Sequence, residues 1–437
     1  MDRTKSTIGV AAAALVFISV AQAQTLNTLY SFGHNELGYQ PYAGVTVGPG
    51  GALFGTTPYG GAWGIGAAYE LTPPASPGGA WTYVLLHSFN PSVGEGPPPA
   101  GVAPTLGPSG VLYSVTEYSN AGNGSVFQLL PPGLSSTHWR DVTLLAFAGM
   151  DGFGPGGDGP GGAPAFGPGG ALYGTTTVGG AVGSGALYRL VPSMQGAPWT
   201  ETVLYSFNTY AGDGKEPAGP LAVAGNGAIY GVTESGGASG IGTVFRLAPP
   251  AEEGGAWTET LLHTFAGPGN GGDWGLPNGV VLGPGGALYG TAIGGLQVGH
   301  QGPCSACGTV FQLTPPPSPG RTWTETILHN FSGGGFAEDG TEPNSPPVMS
   351  ADGALYGTTL DGGIYDYGTI FALLPPSSPG AGWTEKILYA FTGGADGGSP
   401  TAVTLGPDGN LYGTTEFGGV APDGTTNQGT IFQLVLQ

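Results

Sequence analysis

Apolar and polar residues alternate over short stretches of this chain, which predicts strands rather than helices. In residues 199–207 (WTETVLYSF), every second side chain from Trp199 to Phe207 is expected to lie on one face of a strand. Three apolar runs precede this one, separated by Gly- and Pro-containing turns: residues 163–167 (APAFG), 171–176 (ALYGTT) and 186–191 (ALYRLV). We interpret the region as four short strands, A to D in chain order.

The strand B motif LYGTT marks a repeat that extends over the chain. Close relatives of it begin at Leu53, Leu112, Leu172, Ile229, Leu288, Leu355 and Leu411. The spacings between them are 59, 60, 57, 59, 67 and 56 residues. Four-stranded units of this length, repeated seven times, are typical of β-propeller blades. A linear β-solenoid is the alternative, but it uses shorter repeats and needs polar end caps.

The two ends of the repeat array favour a closed ring. Residues 26–32 (LNTLYSF) match strand D, although they precede the first complete unit. Residues 429–436 (GTIFQLVL) match strand C, and the last unit has no strand D of its own. We therefore predict an all-β, seven-bladed β-propeller of four-stranded blades. Its ring is closed by the N-terminal strand, Leu26 to Phe32, pairing with the C-terminal blade.

The repeated aromatic residues are expected to form the core between blades. Tryptophan begins strand D and phenylalanine ends it in most units, and the Tyr of LYGTT accompanies them. His87, His263 and His329 occupy one repeat position in strand D, where other units have Tyr. A position that accepts either residue is interpreted as a packing position.

The first 23 residues read as a secretory signal peptide, which leaves residues 24–437 as a single propeller domain. Arg3 and Lys5 precede an apolar run at residues 8–20, which is too short to span a membrane, and Ala21 and Ala23 flank a cleavage site. We expect a secreted or periplasmic protein without a membrane span.

The chain is acidic, and glycine and proline are abundant. Its formal net charge is −20, and it contains 89 Gly and 41 Pro. It has no basic stripe, which argues against nucleic acid and anionic membrane surfaces as partners. Glycans, proteins and cations remain compatible partners, and a monomer is expected.

Cys304 and Cys307 form a C-x-x-C pair. In an oxidising compartment a short loop disulfide is the simplest interpretation. A redox role, free thiols or a weak metal site are the alternatives. Haem attachment is disfavoured, because Gly308 stands where His would be needed.

The repeat pattern resembles the GloVer tandem-repeat family of exported bacterial proteins. It combines LYGTT, a following Gly-Gly and then G-T-[VI]-F, as in residues 355–359, Gly362, Gly363 and residues 368–371. The resemblance covers the whole mature chain and implies export, but no activity. The chain stops at Gln437 directly after strand C, so a C-terminal anchor is not expected. A looser likeness to kelch propellers lies in the order Gly-Gly, Tyr, Trp.

Charged side chains are expected in the loops and not in the channel. The predicted strand A segments lack charged residues and histidine, which disfavours acid–base catalysis in a central channel. The loops between strands B and C and between D and A carry most of the acids, and they should share one face, the top face. Calcium is the candidate cofactor there, with the ligands Asp151, Asp158, Glu338, Asp339 and Glu342. The alternative is that these acids bind no metal and instead form turns and keep the protein soluble.

No catalytic motif accompanies these acids, so the sequence favours a non-catalytic binding scaffold. A glycan or protein ligand is expected on the top face. The alternative is an extracellular carbohydrate-active enzyme, a hydrolase or lyase, that uses top-face carboxylates. Function is expected where the repeats differ from one another: residues 33–42, 150–160, 294–307 and 419–428.

Overall fold

The computed structural model describes most of the predicted domain. The described residues are 24–34, 37–76, 78–96, 98, 102–116, 124–133, 138–147, 162–193, 199–252, 254–267, 275–294, 307–318, 320–332, 339–378 and 380–436. The predicted signal peptide lies outside them and stays a prediction. Within the described residues the regular elements are 29 strands and short 3₁₀ turns.

The strands form seven antiparallel sheets, which we number as blades in chain order. Blade 1 comprises β2 (Thr46–Val47), β3 (Leu53–Thr57), β4 (Ala67–Thr72) and β5 (Thr82–Ser88). Blade 2 comprises β6 (Thr105–Leu106), β7 (Leu112–Thr116), β8 (Ser125–Leu130) and β9 (Arg140–Ala146). Blade 3 comprises β10 (Ala165–Phe166), β11 (Leu172–Thr176), β12 (Ala186–Val191) and β13 (Thr200–Ser206). Blade 4 comprises β14 (Gly214–Val223), β15 (Ile229–Gly236), β16 (Thr243–Ala248) and β17 (Thr258–Thr264).

The remaining blades follow the same order. Blade 5 comprises β18 (Pro277–Leu282), β19 (Leu288–Ala292), β20 (Thr309–Thr314) and β21 (Thr324–Asn330). Blade 6 comprises β22 (Gly340–Pro343), β23 (Val348–Met349), β24 (Leu355–Gly362), β25 (Thr369–Leu374) and β26 (Thr384–Ala390). Blade 7 comprises β27 (Gly398–Leu405), β28 (Leu411–Phe417), β29 (Thr430–Val435) and, from the other end of the chain, β1 (Thr25–Ser31). The prediction of a seven-bladed β-propeller is confirmed.

The ring closes as the sequence predicts. β1 pairs antiparallel with β29, in a register that runs from Thr25 opposite Val435 to Ser31 opposite Thr430. The backbone N–H of Phe32 donates to the carbonyl oxygen of Gly429 at 3.0 Å. The first strand of the chain thus becomes the outer strand of the last blade.

A β-bulge in strand D changes which blade each D side chain contacts. In blade 3, Leu187 is opposite Tyr205 and Tyr188 is opposite Val203, so Leu204 is the extra residue. The same register shift occurs between strands C and D in every blade. The expectation that one face carries all alternate residues from Trp199 to Phe207 is therefore wrong. Trp199 packs towards blade 2 and Phe207 towards blade 4, because the extra residue reverses the alternation.

Each blade interface contains one pair of buried aromatic rings. The Phe that follows strand D packs against the strand C aromatic of the next blade, at 5.0–5.5 Å between ring centroids. The pairs are Phe32–Tyr69, Phe89–Phe127, Phe147–Tyr188, Phe207–Phe245, Phe265–Phe311, Phe331–Phe371 and Phe391–Phe432. These rings form the centre of the core that the sequence predicts.

The residues of the LYGTT motif make structural contacts within and between blades. The Tyr of blade 3, Tyr173, packs edge-on against Trp257 of blade 4 at 6.1 Å. The Gly of blade 4, Gly231, faces the ring of Phe245 across the strand pair, and a Cβ at Gly231 would lie 2.6 Å from that ring. The second Thr, Thr233, pairs with the hydroxyl of Thr243 at 2.9 Å.

Two inner strands begin earlier than the sequence predicts, and blade 6 has an additional inner strand. β14 begins at Gly214 rather than near Pro220, so it includes Lys215 and Glu216. β27 begins at Gly398, and the additional strand of blade 6, β22, carries Glu342 ahead of the predicted strand. The inner strands β14 and β22 therefore bear charged residues, which the predicted strand A segments lack.

Candidate binding site on the top face

The B–C and D–A loops lie together, as expected. Phe89, directly after β5, donates its N–H to Gly66 at the end of the B–C loop of the same blade, at 3.1 Å. The N–H of Gln40, at the start of blade 1, donates to Gln428 at the end of the B–C loop of blade 7, at 2.8 Å. In the described residues, equivalent backbone bonds join the inner strands of blades 4, 5, 6 and 7 to the preceding blade at the top face.

A Gly–Pro contact fixes this junction. The Gly of the G-T-[VI]-F motif has a positive φ, +108° at Gly242, where a Cβ would lie 2.9 Å from Cδ of Pro277 in the next blade. Equivalent contacts among the described residues are Gly66–Pro98, Gly185–Pro217, Gly308–Pro343, Gly368–Pro400 and Gly429–Pro41. The top-face loops therefore extend from backbone that these Gly–Pro contacts hold in place.

Large apolar side chains are exposed mainly on this face. Of the twelve in the described residues, nine lie in B–C or D–A loops. These nine are Tyr59, Trp63, Val93, Val182, Tyr210, Ile364, Tyr365, Tyr367 and Val420. The other three, Val84, Leu85 and Leu374, lie on strands.

The aromatic side chains are densest where blade 1 meets blade 7. Tyr39 stacks on Tyr59 with ring centroids 5.6 Å apart, and His34 stacks on Tyr39 at 4.5 Å. Tyr42 contacts Tyr59 edge-on at 6.2 Å. Trp63, 54% exposed, lies in the same B–C loop as Tyr59. We call Tyr39, Tyr42, Tyr59 and Trp63 the aromatic platform.

A half-buried carboxyl group, Glu416, accompanies the platform. It follows LYGTT in blade 7, and burial, followed by the charge of Asp361 in blade 6, raises its pKa to about 7. The pKa of Tyr42 is raised by burial and then by Glu416 and Tyr59, which shows that these three groups are close. Part of the Glu416 population is therefore protonated near neutral pH and can donate as well as accept hydrogen bonds.

Exposed rings beside a few polar groups are the usual composition of a ligand-binding surface. The flat faces of the rings suit the C–H faces of a sugar, and a carboxyl group suits its hydroxyls. Glu416 is also biased towards protonation, first by burial and then by the charge of Asp361, which is one requirement of a general acid.

Asp339, one of the predicted calcium ligands, lies elsewhere, on the outer rim between blades 5 and 6. Its Oδ2 accepts hydrogen bonds from N and Oγ of Ser332 at 2.7 and 2.9 Å, and its Oδ1 accepts from N of Gly340 at 2.8 Å. His329 Nε2 lies 3.5 Å from Asp339 Oδ2 and 3.4 Å from Glu385 Oε1.

The electrostatics of this rim cluster follow from burial and charge. Burial opposes protonation of His329, but Asp339 and Glu385 outweigh it and raise the His329 pKa. Burial raises the pKa of Glu385 to about 7. The pKa of Asp339 is lowered, because the nearby His329 and the hydrogen bonds from Ser332 outweigh the effect of burial.

The other predicted site residues are not brought into this cluster. Glu342 is in β22 with φ +59°, and its N–H donates to the carbonyl oxygen of Cys307 at 2.8 Å. Cys307 is 2% exposed. Asp151, Asp158, Glu338 and Cys304 lie outside the described residues, so the calcium ligand set and the disulfide stay predictions.

Sequence reasoning missed the pairing of the strand D histidines with acids. His87 and His329 do pack edge-on against the Phe two residues later, as a packing position implies. However, His87 Nε2 also lies 2.9 Å from Glu95 Oε2, and His329 faces two carboxylates. The sequence does contain a signal for this pairing. Most D strands have an acid as their second residue, and the acid of one blade lies near the histidine position of the blade before it.

The fold defines this protein as a seven-bladed β-propeller. The chain belongs to the Gloeobacter/Verrucomicrobia repeat family, whose model matches residues 159–318 and 276–437. This confirms the resemblance to the GloVer family. No protein with a curated description matches the sequence. In the described residues, no helix is long and apolar enough to cross a membrane.

Several solved structures are similar in outline. A Thermus thermophilus protein assigned as a glucose dehydrogenase is 16% identical with a TM-score of 0.39, covering 94% of this chain and 100% of its own. The phage phi92 endosialidase is 13% identical with a TM-score of 0.45, covering 95% and 69%. A gluconolactonase from Xanthomonas campestris is 12% identical with a TM-score of 0.40, covering 95% and 90%.

Proposed function

We propose that this protein is an exported, non-catalytic binding scaffold whose top face binds neutral carbohydrate at the aromatic platform. The observation that carries the proposal is the concentration of exposed large apolar side chains on one face, nine of twelve in the described residues. Exposed apolar side chains that group on one face indicate an interaction surface more strongly than singly scattered ones do.

Charge supports a neutral ligand over an anionic one. The chain carries 28 acidic and 8 basic residues, and Glu416 lies beside Tyr42 of the platform. A polyanion approaching the platform would meet repulsion, whereas a neutral sugar would find ring faces and hydrogen-bonding groups.

Affinity electrophoresis through gels that contain soluble neutral polysaccharides tests the proposal. We expect at least one polysaccharide to retard the mature chain, and Trp63→Ala or Tyr59→Ala to abolish the retardation. Leu374→Ala is the matched control, since Leu374 is 41% exposed at the end of a strand outside these loops. Retardation that survives both platform substitutions, or no retardation across the panel, would reject the proposal.

A carbohydrate-active enzyme is the second candidate, favoured by one observation. Glu416 has its pKa raised to about 7, with Asp361 contributing, which is the bias expected of a general acid next to a carboxylate. The same polysaccharides, incubated with the chain and assayed for new reducing ends, distinguish the candidates. Cleavage that Glu416→Gln abolishes would establish the enzyme, and intact polysaccharide that still binds would establish the scaffold.

Export is part of the proposal and is supported by the family and by the sequence of residues 1–23. Mass spectrometry of the protein recovered outside the cytoplasm should find Gln24 as its first residue. Calcium binding by Asp151, Asp158, Glu338, Asp339 and Glu342 is also still a proposal. A melting midpoint that chelation of calcium leaves unchanged would count against it.

A further inference from the structure

The rim cluster combines three side chains with the chemistry of metal ligands. His329 is on β21, Asp339 precedes β22, and Glu385 is on β26 of the next blade. One ligand atom from each lies within 4.8 Å of the others. Their side chains are 15–20% exposed, so the cluster is mostly buried but reachable by a small ion.

The fold brings them together for reasons present in each repeat. The β-bulge turns the side chain two residues before the strand D Phe towards the next blade. The acid near the start of strand D in that next blade faces back towards it, as Glu259 approaches Tyr205 and Asp213 at the interface of blades 3 and 4. The D–A loop supplies the third group.

Three other interfaces have a short direct hydrogen bond at this position, whereas His263 lies 3.6 Å from Glu325 at the interface of blades 4 and 5. Tyr205 donates to Asp213 at 2.9 Å, and Tyr389 donates to Asp396 at 3.0 Å. At the interface of blades 1 and 2, Nε2 of His87 lies 2.9 Å from Oε2 of Glu95.

The interface of blades 5 and 6 differs in its histidine. Nε2 of His329 is buried and makes no hydrogen bond of normal geometry, and its nearest acceptors are the two carboxylates at 3.4–3.5 Å. Oε1 of Glu385 is also unsatisfied, but so are the equivalent oxygens of Asp141, Glu201 and Glu259. Buried polar atoms without partners are costly, and they usually indicate an ion or a water that satisfies them.

The separations suit a tetrahedral metal ion. Nε2 of His329 is 3.5 Å from Asp339 and 3.4 Å from Glu385, longer than a normal hydrogen bond. Two ligands each about 2.0–2.1 Å from a tetrahedral zinc ion are ~3.4 Å apart. One imidazole and two carboxylates match zinc better than calcium, which takes oxygen ligands only.

The hydrogen bonds of Asp339 support this geometry. Ser332 donates to Asp339 Oδ2 twice, and Gly340 donates to Oδ1, so the carboxylate is held in one orientation. Such bonds to a ligating carboxylate are typical of metal sites. The partly exposed edge of the cluster leaves room for water as a fourth ligand.

We propose that His329, Asp339 and Glu385 bind a zinc ion that joins the outer strands of blades 5 and 6. The site lies apart from the aromatic platform, so its role is to stabilise the ring rather than to contact a ligand there.

The test measures zinc content and melting temperature of the mature chain. Protein stripped with chelator, equilibrated with Zn²⁺ and desalted should retain about one zinc ion per chain, and its Tm should rise by about 2–5 °C. His329→Tyr should lose both effects. It should still fold, because Tyr205 and Tyr389 occupy the same repeat position and bond to their Asp directly.

His87→Tyr is the matched control, with the same substitution at an interface that already has a direct hydrogen bond. It should keep the zinc and the Tm shift. The proposal would be overturned if His329→Tyr retained as much zinc as the parent, or if the parent protein retained no zinc. His329 would then be a protonated side chain that bridges two carboxylates. A Tm response to Ca²⁺ but not to Zn²⁺ would also overturn it. None of these outcomes affects polysaccharide binding, so the two proposals fail independently.

Discussion

Substituting Phe32 by alanine should show how strongly the ring depends on its N-terminal strand. Phe32 is 0% exposed, and its ring centroid lies 5.5 Å from that of Tyr69 in blade 1 and 6.1 Å from that of Tyr83. It therefore occupies the place that Phe265, also 0% exposed, holds at 5.5 Å from Phe311 between blades 4 and 5.

The magnitude follows from burial. A fully buried Phe truncated to Ala typically costs ~3–5 kcal/mol, which combines lost transfer free energy with a residual cavity. The rings of Tyr69 and Tyr83 also lose their edge contacts, which is part of the same figure. We expect Phe32→Ala and Phe265→Ala to lower the free energy of unfolding by equal amounts, within about 1 kcal/mol.

Urea unfolding of the mature chain, followed by tryptophan fluorescence, measures both costs. Hydrogen exchange at the N–H of Phe32, which donates to Gly429, adds a local measure of whether β1 detaches before the ring opens. The reasoning is refuted if Phe32→Ala costs less than about 1 kcal/mol while Phe265→Ala costs the full amount. That result would mean that β1 is an appendage and not part of the cooperative ring.

Three further substitutions test local features. Gly242→Ala should cost about 2–4 kcal/mol in urea unfolding, because its Cβ would overlap the Thr233 carbonyl oxygen and would lie 2.9 Å from Pro277 of the next blade, in addition to the strain of a positive φ. Gly240→Ala, at φ +79° in open space, should cost only about 1–2 kcal/mol, and equal costs would contradict these close contacts. Glu416→Gln should be as stable as the parent at pH 4 and more stable by about 1–2 kcal/mol at pH 8. The folded pKa of Glu416 is about 7, above the usual 4.5, so the parent loses stability as the pH rises through that window. A difference in melting temperature between the two proteins that is the same at both pH values would contradict this. Tyr205→Phe should cost about 1–2 kcal/mol in the same unfolding assay through the lost bond to Asp213, and no cost would show that water replaces it.

The fold could be predicted from the sequence because its evidence is periodic. The spacing of LYGTT identifies the blades, and the displaced strand D at the N-terminus identifies the closure, which the pairing of β1 with β29 confirms. The orientation of strand D could not be predicted from alternation alone. One extra residue in each blade, such as Leu204, separates Trp199 from Phe207 onto opposite faces.

The candidate sites depended on contacts that no local pattern contains. Glu416 has a raised pKa because the fold buries it and because blade 6 supplies Asp361, and it lies near Tyr42 from the other end of the chain. The β-bulge turns His329 towards blade 6, and the arrangement of the blades places Glu385 of blade 6 opposite it. A residue type and its spacing cannot show this before the blade interfaces are known.

The chemistry of LYGTT explains why function should lie next to the motif and not in it. In blade 4, Tyr230 packs on Trp323, Gly231 leaves room for Phe245, and Thr233 bonds to Thr243. A ligand contact by any of these groups would have to replace a contact within or between blades. The constraint ends one residue later, at a position occupied by Pro58, Thr177, Glu234, Ile293, Leu360 and Glu416 in six of the blades. Because a rigid strand B carries each of these residues to the top face, a change there can alter the ligand without altering the ring.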